Sequence, residues 1–210
     1  MPAYETLWRV VLLTYVHVAF RHVDAATRDE VCEVVEVVSR DGGQEAQTHP
    51  TVDNFARVRP GHQSPKTVQN TLTVRCLQEA LRLYPPTKRI YRASASRTAA
   101  ADVESMHHDE RIWGPDALEF RPGRSGALTR RQKDAYMPFG VGKNACPAAN
   151  GFGRRMVASL VVVLVTRLGT RSSGARIRFG DDELDVFDGT PLPTGRDDMG
   201  AWVISLDGVD

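Results

Sequence analysis

Apolar positions along this chain gather into separate stretches, and their spacing distinguishes helices from loops. Leu7, Val10, Val11, Leu13, Val16 and Val18 fall in residues 4–20, a stretch free of Gly and Pro, and predict one mostly buried helix. Thr27-Arg28-Asp29-Glu30 fits a capping box, and Val31, Val34, Val35 and Val38 then recur at helical spacing until Gly42 and Gly43. Residues 44–64 are polar and carry His49-Pro50 and Pro60-Gly61, which predicts an exposed loop. Ser64-Pro65 opens a third helix whose stripe is Val68, Leu72, Cys76 and Ala80, backed by Leu77 and Leu81. It stops at Tyr84-Pro85-Pro86, because proline disfavours helical geometry in the residue before it.

The period is lost from Thr87 to Asp134, which reads as irregular structure with short extended pieces. Residues 137–145 form a glycine-bearing loop, and after Cys146-Pro147 a long helix runs to about Leu168 and closes at Gly169. From Ile177 to Leu206, strand-like pieces around Pro191 and Gly195 predict a small antiparallel sheet. The chain therefore reads as one domain, mainly α with small β-sheets.

Composition narrows the function. A net charge of +1, from 27 basic and 26 acidic residues, gives no reason to expect nucleic acid or an anionic membrane as partner. The run Met156–Val165 is too short to span a bilayer and is flanked by arginines, so the reading is a soluble chain without a membrane segment. Cys32, Cys76 and Cys146 are widely spread and odd in number, which argues against a disulfide framework or a structural zinc site.

Candidate chemistry concentrates at Cys146. Two glycines, Gly140 and Gly142, precede it, and they suit tight turns and close approach of backbone to a flat ligand. Pro147 follows, placing Cys146 at a helix N-cap where the dipole favours thiolate. On these residues alone, a buried cysteine in a glycine-rich turn and a metal ligand both remain open. Glu79 and Arg82, three residues apart on one helix face, are by themselves an ordinary pair. The adjacent His107 and His108 would point opposite ways on an extended chain, which argues against a shared metal.

Taken together, these segments resemble the cytochromes P-450. Phe139, Gly142 and Cys146 match the family's heme-binding loop Phe-x-x-Gly-x-x-x-Cys-x-Gly. Asn144 stands where the family usually has an Arg or His toward a heme propionate, and Ala148 replaces the glycine two residues past the cysteine. Glu79-x-x-Arg82 followed by Tyr84-Pro85-Pro86 resembles the family's Glu-x-x-Arg helix, with Arg124 after Pro122 as its third partner and Gly123 in place of a glutamate. Ala3-Tyr4-Glu5-Thr6 is either an ordinary helix start or the family's distal motif, with Glu5 and Thr6 delivering protons.

The resemblance implies the C-terminal half of the cytochrome P-450 fold as a single partial domain over 1–210. Residues 1–22 would be the end of the distal helix, 64–86 the Glu-x-x-Arg helix, and 137–168 the thiolate loop with its following helix. It implies heme, held at iron by Cys146 and contacted by Phe139, Gly140, Gly142, Asn144 and Ala148, with His108 as a propionate or structural contact. It further implies insertion of one oxygen atom from O2 into a small organic substrate. Electrons would come from NAD(P)H through a separate reductase, since Gly151-x-Gly153 lies inside a helix and makes a poor nucleotide motif. Full-length eukaryotic relatives are often anchored in the endoplasmic reticulum membrane. About half of a typical member would be absent, which leaves a second expectation open: a non-catalytic heme-binding or interaction module that keeps the Cys-Pro ligand.

Overall fold

The computed structural model describes residues 4–21, 72–93, 98–142, 145–149, 152–183, 191–195 and 197–206. The helix expected after Thr27, the polar loop 44–64, the Ser64-Pro65 helix start and Cys32 lie outside the described residues. Three helices build the main core. They are α1 (Tyr4–Ala19), α2 (Leu72–Leu83) and the later Phe152–Leu168 helix, called α6 once the short helices between are introduced. Helix α1 is buried on nearly every side, with Val10, Leu13, Tyr15 and Val16 all at 0% exposure. Thr14 donates its hydroxyl to the Val10 carbonyl at 2.6 Å, satisfying a buried group that water cannot reach.

On α2 the predicted stripe of Cys76, Leu77, Ala80 and Leu81 faces the core. The Phe152–Leu168 helix contributes Val157, Val161 and Val165, one residue per turn, to the same cluster. Gly169 ends it with φ +74°, and a Cβ there would lie 2.5 Å from Ser173 Oγ. The Gly169 carbonyl then accepts the Tyr15 hydroxyl at 2.8 Å, tying this helix end to α1.

Residues 87–134 are more ordered than their lack of periodicity suggested. Strands β1 (Arg89–Ala93) and β2 (Thr98–Asp102) pair antiparallel. Helices α3 (Val103–His108), α4 (Glu110–Trp113) and α5 (Arg130–Ala135) follow, with a 3-10 segment over Pro122–Ala127; the long helix is thus α6. These helices are too short for a hydrophobic period to register and are started by side-chain caps instead. Asp102 accepts the Ser105 N–H, Asp109 accepts the Arg111 N–H, and Thr129 with Gln132 forms a full capping box.

The tail forms a three-stranded antiparallel sheet in the order β4 (Asp182–Glu183), β3 (Ala175–Phe179), β5 (Trp202–Leu206). Residues 191–195, around which the strand-like pieces are expected, carry no regular structure themselves. Among the described residues one window, Met156–Ser173, is long and apolar enough to cross a membrane by length and composition. The sequence reading counted only the shorter run to Val165. The longer window passes beyond Leu168 into the Arg171–Ser173 3-10 turn, and its Val157, Val161 and Val165 face the protein core.

Candidate functional site

The cysteine loop begins where α5 ends. Tyr136 donates its hydroxyl to the Gln78 carbonyl at 3.2 Å, holding this point against α2. Pro138 and Phe139 are buried, and the chain then makes two turns in succession. Gly140 returns its N–H to the Met137 carbonyl at 3.0 Å, and Ala145 returns its N–H to the Gly142 carbonyl at 3.0 Å. Gly140 and Gly142 have φ +74° and +68°, a region that residues with a Cβ rarely occupy. The loop closes where the Cys146 N–H meets the Phe139 carbonyl at 2.8 Å. That bond joins the first and last of the three residues, Phe139, Gly142 and Cys146, that carry the family resemblance.

Cys146 is half-buried and packs against the main core cluster. Its carbonyl accepts the Ala149 N–H at 2.9 Å within a 3-10 turn, Pro147–Ala149, so the long α-helix starts only at Phe152 rather than directly after Pro147. The site thus offers a single thiol beside glycine backbone, and among the described residues none beyond Gly142's chain neighbours lies within 4 Å of where its Cβ would be. A single sulfur donor beside backbone that carries no side chain at Gly140 and Gly142 suits an iron whose other ligands come from a macrocycle. The residues present fit heme in donor chemistry and in the lack of a side chain at Gly140 and Gly142. Asn144 and the Ala148 side chain lie outside what the structure describes, as do the side chains of Glu5 and Thr6, although both of the latter residues fall in α1.

Behind this loop, Glu79, Arg82 and Arg124 come together. Arg82 binds the Glu79 carboxylate with two bonds, Nε to Oε2 at 3.1 Å and an Nη to Oε1 at 2.8 Å. Arg124 adds Nε to Oε1 at 3.2 Å, and the Arg121 backbone N–H adds another at 3.2 Å. The pair is nearly dry, with side-chain exposures of 1% for Arg82 and 3% for Glu79. A buried carboxylate is tolerable only with such full compensation. Arg82 also donates to the His107 carbonyl at 2.6 Å and lies over the Trp113 ring at 5.1 Å, while Arg124 holds the Trp113 and Asp116 carbonyls. Gly123, where the resemblance would place a glutamate, has open space around its Cβ direction and takes no part in these bonds.

The adjacent histidines lie in α3, not on an extended chain, and they cap α2. Its end is short of donors because Pro85 and Pro86 carry no N–H to satisfy the last carbonyls. His107 Nδ1 meets the Arg82 carbonyl at 3.0 Å, and His108 Nε2 meets the Leu83 carbonyl at 2.8 Å. His107 is fully buried, and burial lowers its pKa to about 4, aided by the Arg82 charge and opposed by the Arg82 and Ala135 carbonyls. His108, which the resemblance offered as a propionate contact, has its Nε2 on Leu83. Sequence reasoning assigned His107 nothing. The signal for it was the Pro85-Pro86 pair, which leaves the Arg82 carbonyl without its usual helical donor.

Comparison with known proteins draws on the same segments. The family model described as cytochrome P-450 matches residues 57–167, more than half of the chain. The chain belongs to the cytochrome P-450 family. Cytochrome P-450 734A6 of Oryza sativa subsp. japonica is 38% identical over 95 residues, covering 35% of this chain and 17% of that protein. Cytochrome P-450 714A2 of Arabidopsis thaliana is 32% identical over 118 residues, covering 49% of this chain and 22% of that protein. The chain spans less than a quarter of the length of these curated relatives. A crystal structure of a cytochrome P-450, CYP102L1, aligns over 77% of this chain and 35% of its own, with 19% identity and a TM-score of 0.49. The described residues are helix-rich with two small antiparallel sheets, and the family match makes residues 57–167 part of a cytochrome P-450 fold.

Proposed function

We propose that this chain binds heme through the Cys146 thiolate and serves a cytochrome P-450 monooxygenase reaction. The observation that carries the reading is the closed loop in which Gly140 and Gly142 turn the backbone and the Cys146 N–H is spent on the Phe139 carbonyl. That arrangement holds the Cys146 backbone in place through main-chain hydrogen bonds. When bound, heme supplies insertion of one atom of O2 into an organic substrate. The chain's own residues would supply the sulfur ligand from Cys146, the glycine turns beside it and the buried ion-pair support behind it.

In this reading Glu79, Arg82 and Arg124 are scaffold, since their side chains are consumed by one another and by carbonyls of the following segment. Glu5 and Thr6 are proposed to move protons at the distal face, Phe139, Asn144 and Ala148 to contact the porphyrin, and His108 to support α2. Electrons come from NAD(P)H through a separate reductase, and O2 and a small organic molecule are the substrates.

The test reconstitutes the chain with heme, adds a cytochrome P-450 reductase and NADPH, and follows oxygen-18 from labelled O2 into product across a panel of small organic substrates. Substrate-dependent incorporation that is lost in Cys146→Ala supports the monooxygenase. Stable heme binding with no substrate-dependent NADPH consumption would instead assign a non-catalytic heme module.

A further inference from the structure

We propose that His107 is a positioning residue for the cysteine loop, its imidazole linking Met137 to the end of the helix that carries Glu79 and Arg82. The proposal deepens the reading above, since the loop it places is the one that presents Cys146.

The geometry fixes the direction of each bond. The Met137 backbone N–H donates to His107 Nε2 at 3.1 Å, so Nε2 carries no proton. The proton therefore sits on Nδ1, which donates to the Arg82 carbonyl at 3.0 Å. One neutral ring thus accepts from the loop and donates to the helix. Arg82 completes the exchange by donating its guanidinium to the His107 carbonyl at 2.6 Å. Two residues beyond Met137, Phe139 receives the Cys146 N–H at 2.8 Å. The path from the buried ion pair to the cysteine therefore runs Arg82, His107, Met137, Phe139, Cys146, with a hydrogen bond at every step that is not covalent chain.

Packing holds the ring in this pose. It stacks on Tyr136 at 5.8 Å and 13° and meets Trp113 edge-on at 6.3 Å and 79°. Burial disfavours the charged form, and protonation at Nε2 would put two N–H groups face to face. An apolar ring could reproduce this stacking but neither hydrogen bond, and that difference makes the proposal testable.

Two measurements on the heme-free, full 210-residue chain test it. The first is nitrogen-15 NMR of labelled histidine in the wild type at neutral pH. A neutral His107 protonated at Nδ1 is expected; protonation at Nε2, or a charged ring, would overturn the link. The second is hydrogen exchange read by mass spectrometry in His107→Phe and His107→Gln, with α1 as internal reference. In the Phe variant, amides of residues 137–146 are expected to exchange about tenfold faster, the effect of losing one buried hydrogen bond of ordinary strength. Gln keeps one donor and one acceptor and is expected to restore most of the protection. Unchanged exchange in the Phe variant with α1 still protected would overturn the proposal. If the Phe variant loses protection everywhere, the NMR measurement decides. Because neither measurement uses heme, failure of Cys146 to bind iron would sink the functional reading and leave the link standing.

Discussion

Arg124 reaches the Glu79 carboxylate across 45 residues of sequence, its Nε lying 3.2 Å from Oε1. Glu79 also receives two bonds from Arg82 on its own helix, so one buried carboxylate joins α2 to the Pro122–Ala127 segment. Removing Arg82 takes two donors from that carboxylate, leaving Arg124 and the Arg121 N–H on Oε1 alone, and leaves the His107 and Glu119 carbonyls short of a donor. Arg82→Ala is therefore expected to destabilise the fold by about 3–5 kcal/mol in urea unfolding. Arg130→Ala breaks only the exposed pair with Asp134 and is expected to stay within about 0.5 kcal/mol of wild type.

His107 makes stability depend on pH. Its folded-state pKa lies near 4, below the ordinary 6.5, because burial and the facing Arg82 and His108 charges disfavour the cation. The unfolded chain therefore binds this proton more readily than the folded one. The contribution is complete above pH 6.5 and is lost as pH falls from there toward 4, of order 3 kcal/mol in total. Buried His17, held well below its ordinary value by burial and then by Arg21, acts in the same direction. Unfolding free energy measured from pH 7 to 4 should fall steadily, and His107→Gln should fall less over that range.

The glycine turn separates strain from crowding. Gly142 has φ +68°, and among the described residues beyond its chain neighbours none lies within 4 Å of its Cβ direction, so backbone geometry is what opposes a side chain there. Gly142→Ala is expected to cost about 1–2 kcal/mol in chemical denaturation. Gly142→Asn should cost less, since asparagine visits this region more readily. Equal losses in the two variants would mean that a contact, rather than conformation, sets the requirement.

The large helices and the site motifs were legible in the sequence because each leaves a local signature. Val157, Val161 and Val165 repeat at helical spacing, Tyr84-Pro85-Pro86 ends a helix, and Gly140 and Gly142 mark the turns before Cys146. The segment from Thr87 to Asp134 was not legible, because its order comes from single caps such as Asp102 on Ser105 and from partners far along the chain. Trp113, for example, is held by Arg82 from one side and by Arg124 through its carbonyl. For His107 the sequence shows the need, since Pro86 leaves the Arg82 carbonyl without a helical donor, but not the residue that meets it, because both of its partners lie some 25–30 residues away. A pattern along the chain cannot carry a relation that exists only after folding.

The central claim is that the Cys146 sulfur binds the heme iron, and the carbon monoxide complex of the reduced, reconstituted chain reads it directly. Thiolate ligation predicts a strongly red-shifted Soret band in the wild type that disappears in Cys146→Ala. A band typical of histidine ligation in the wild type, or a red-shifted band that survives the substitution, would contradict it.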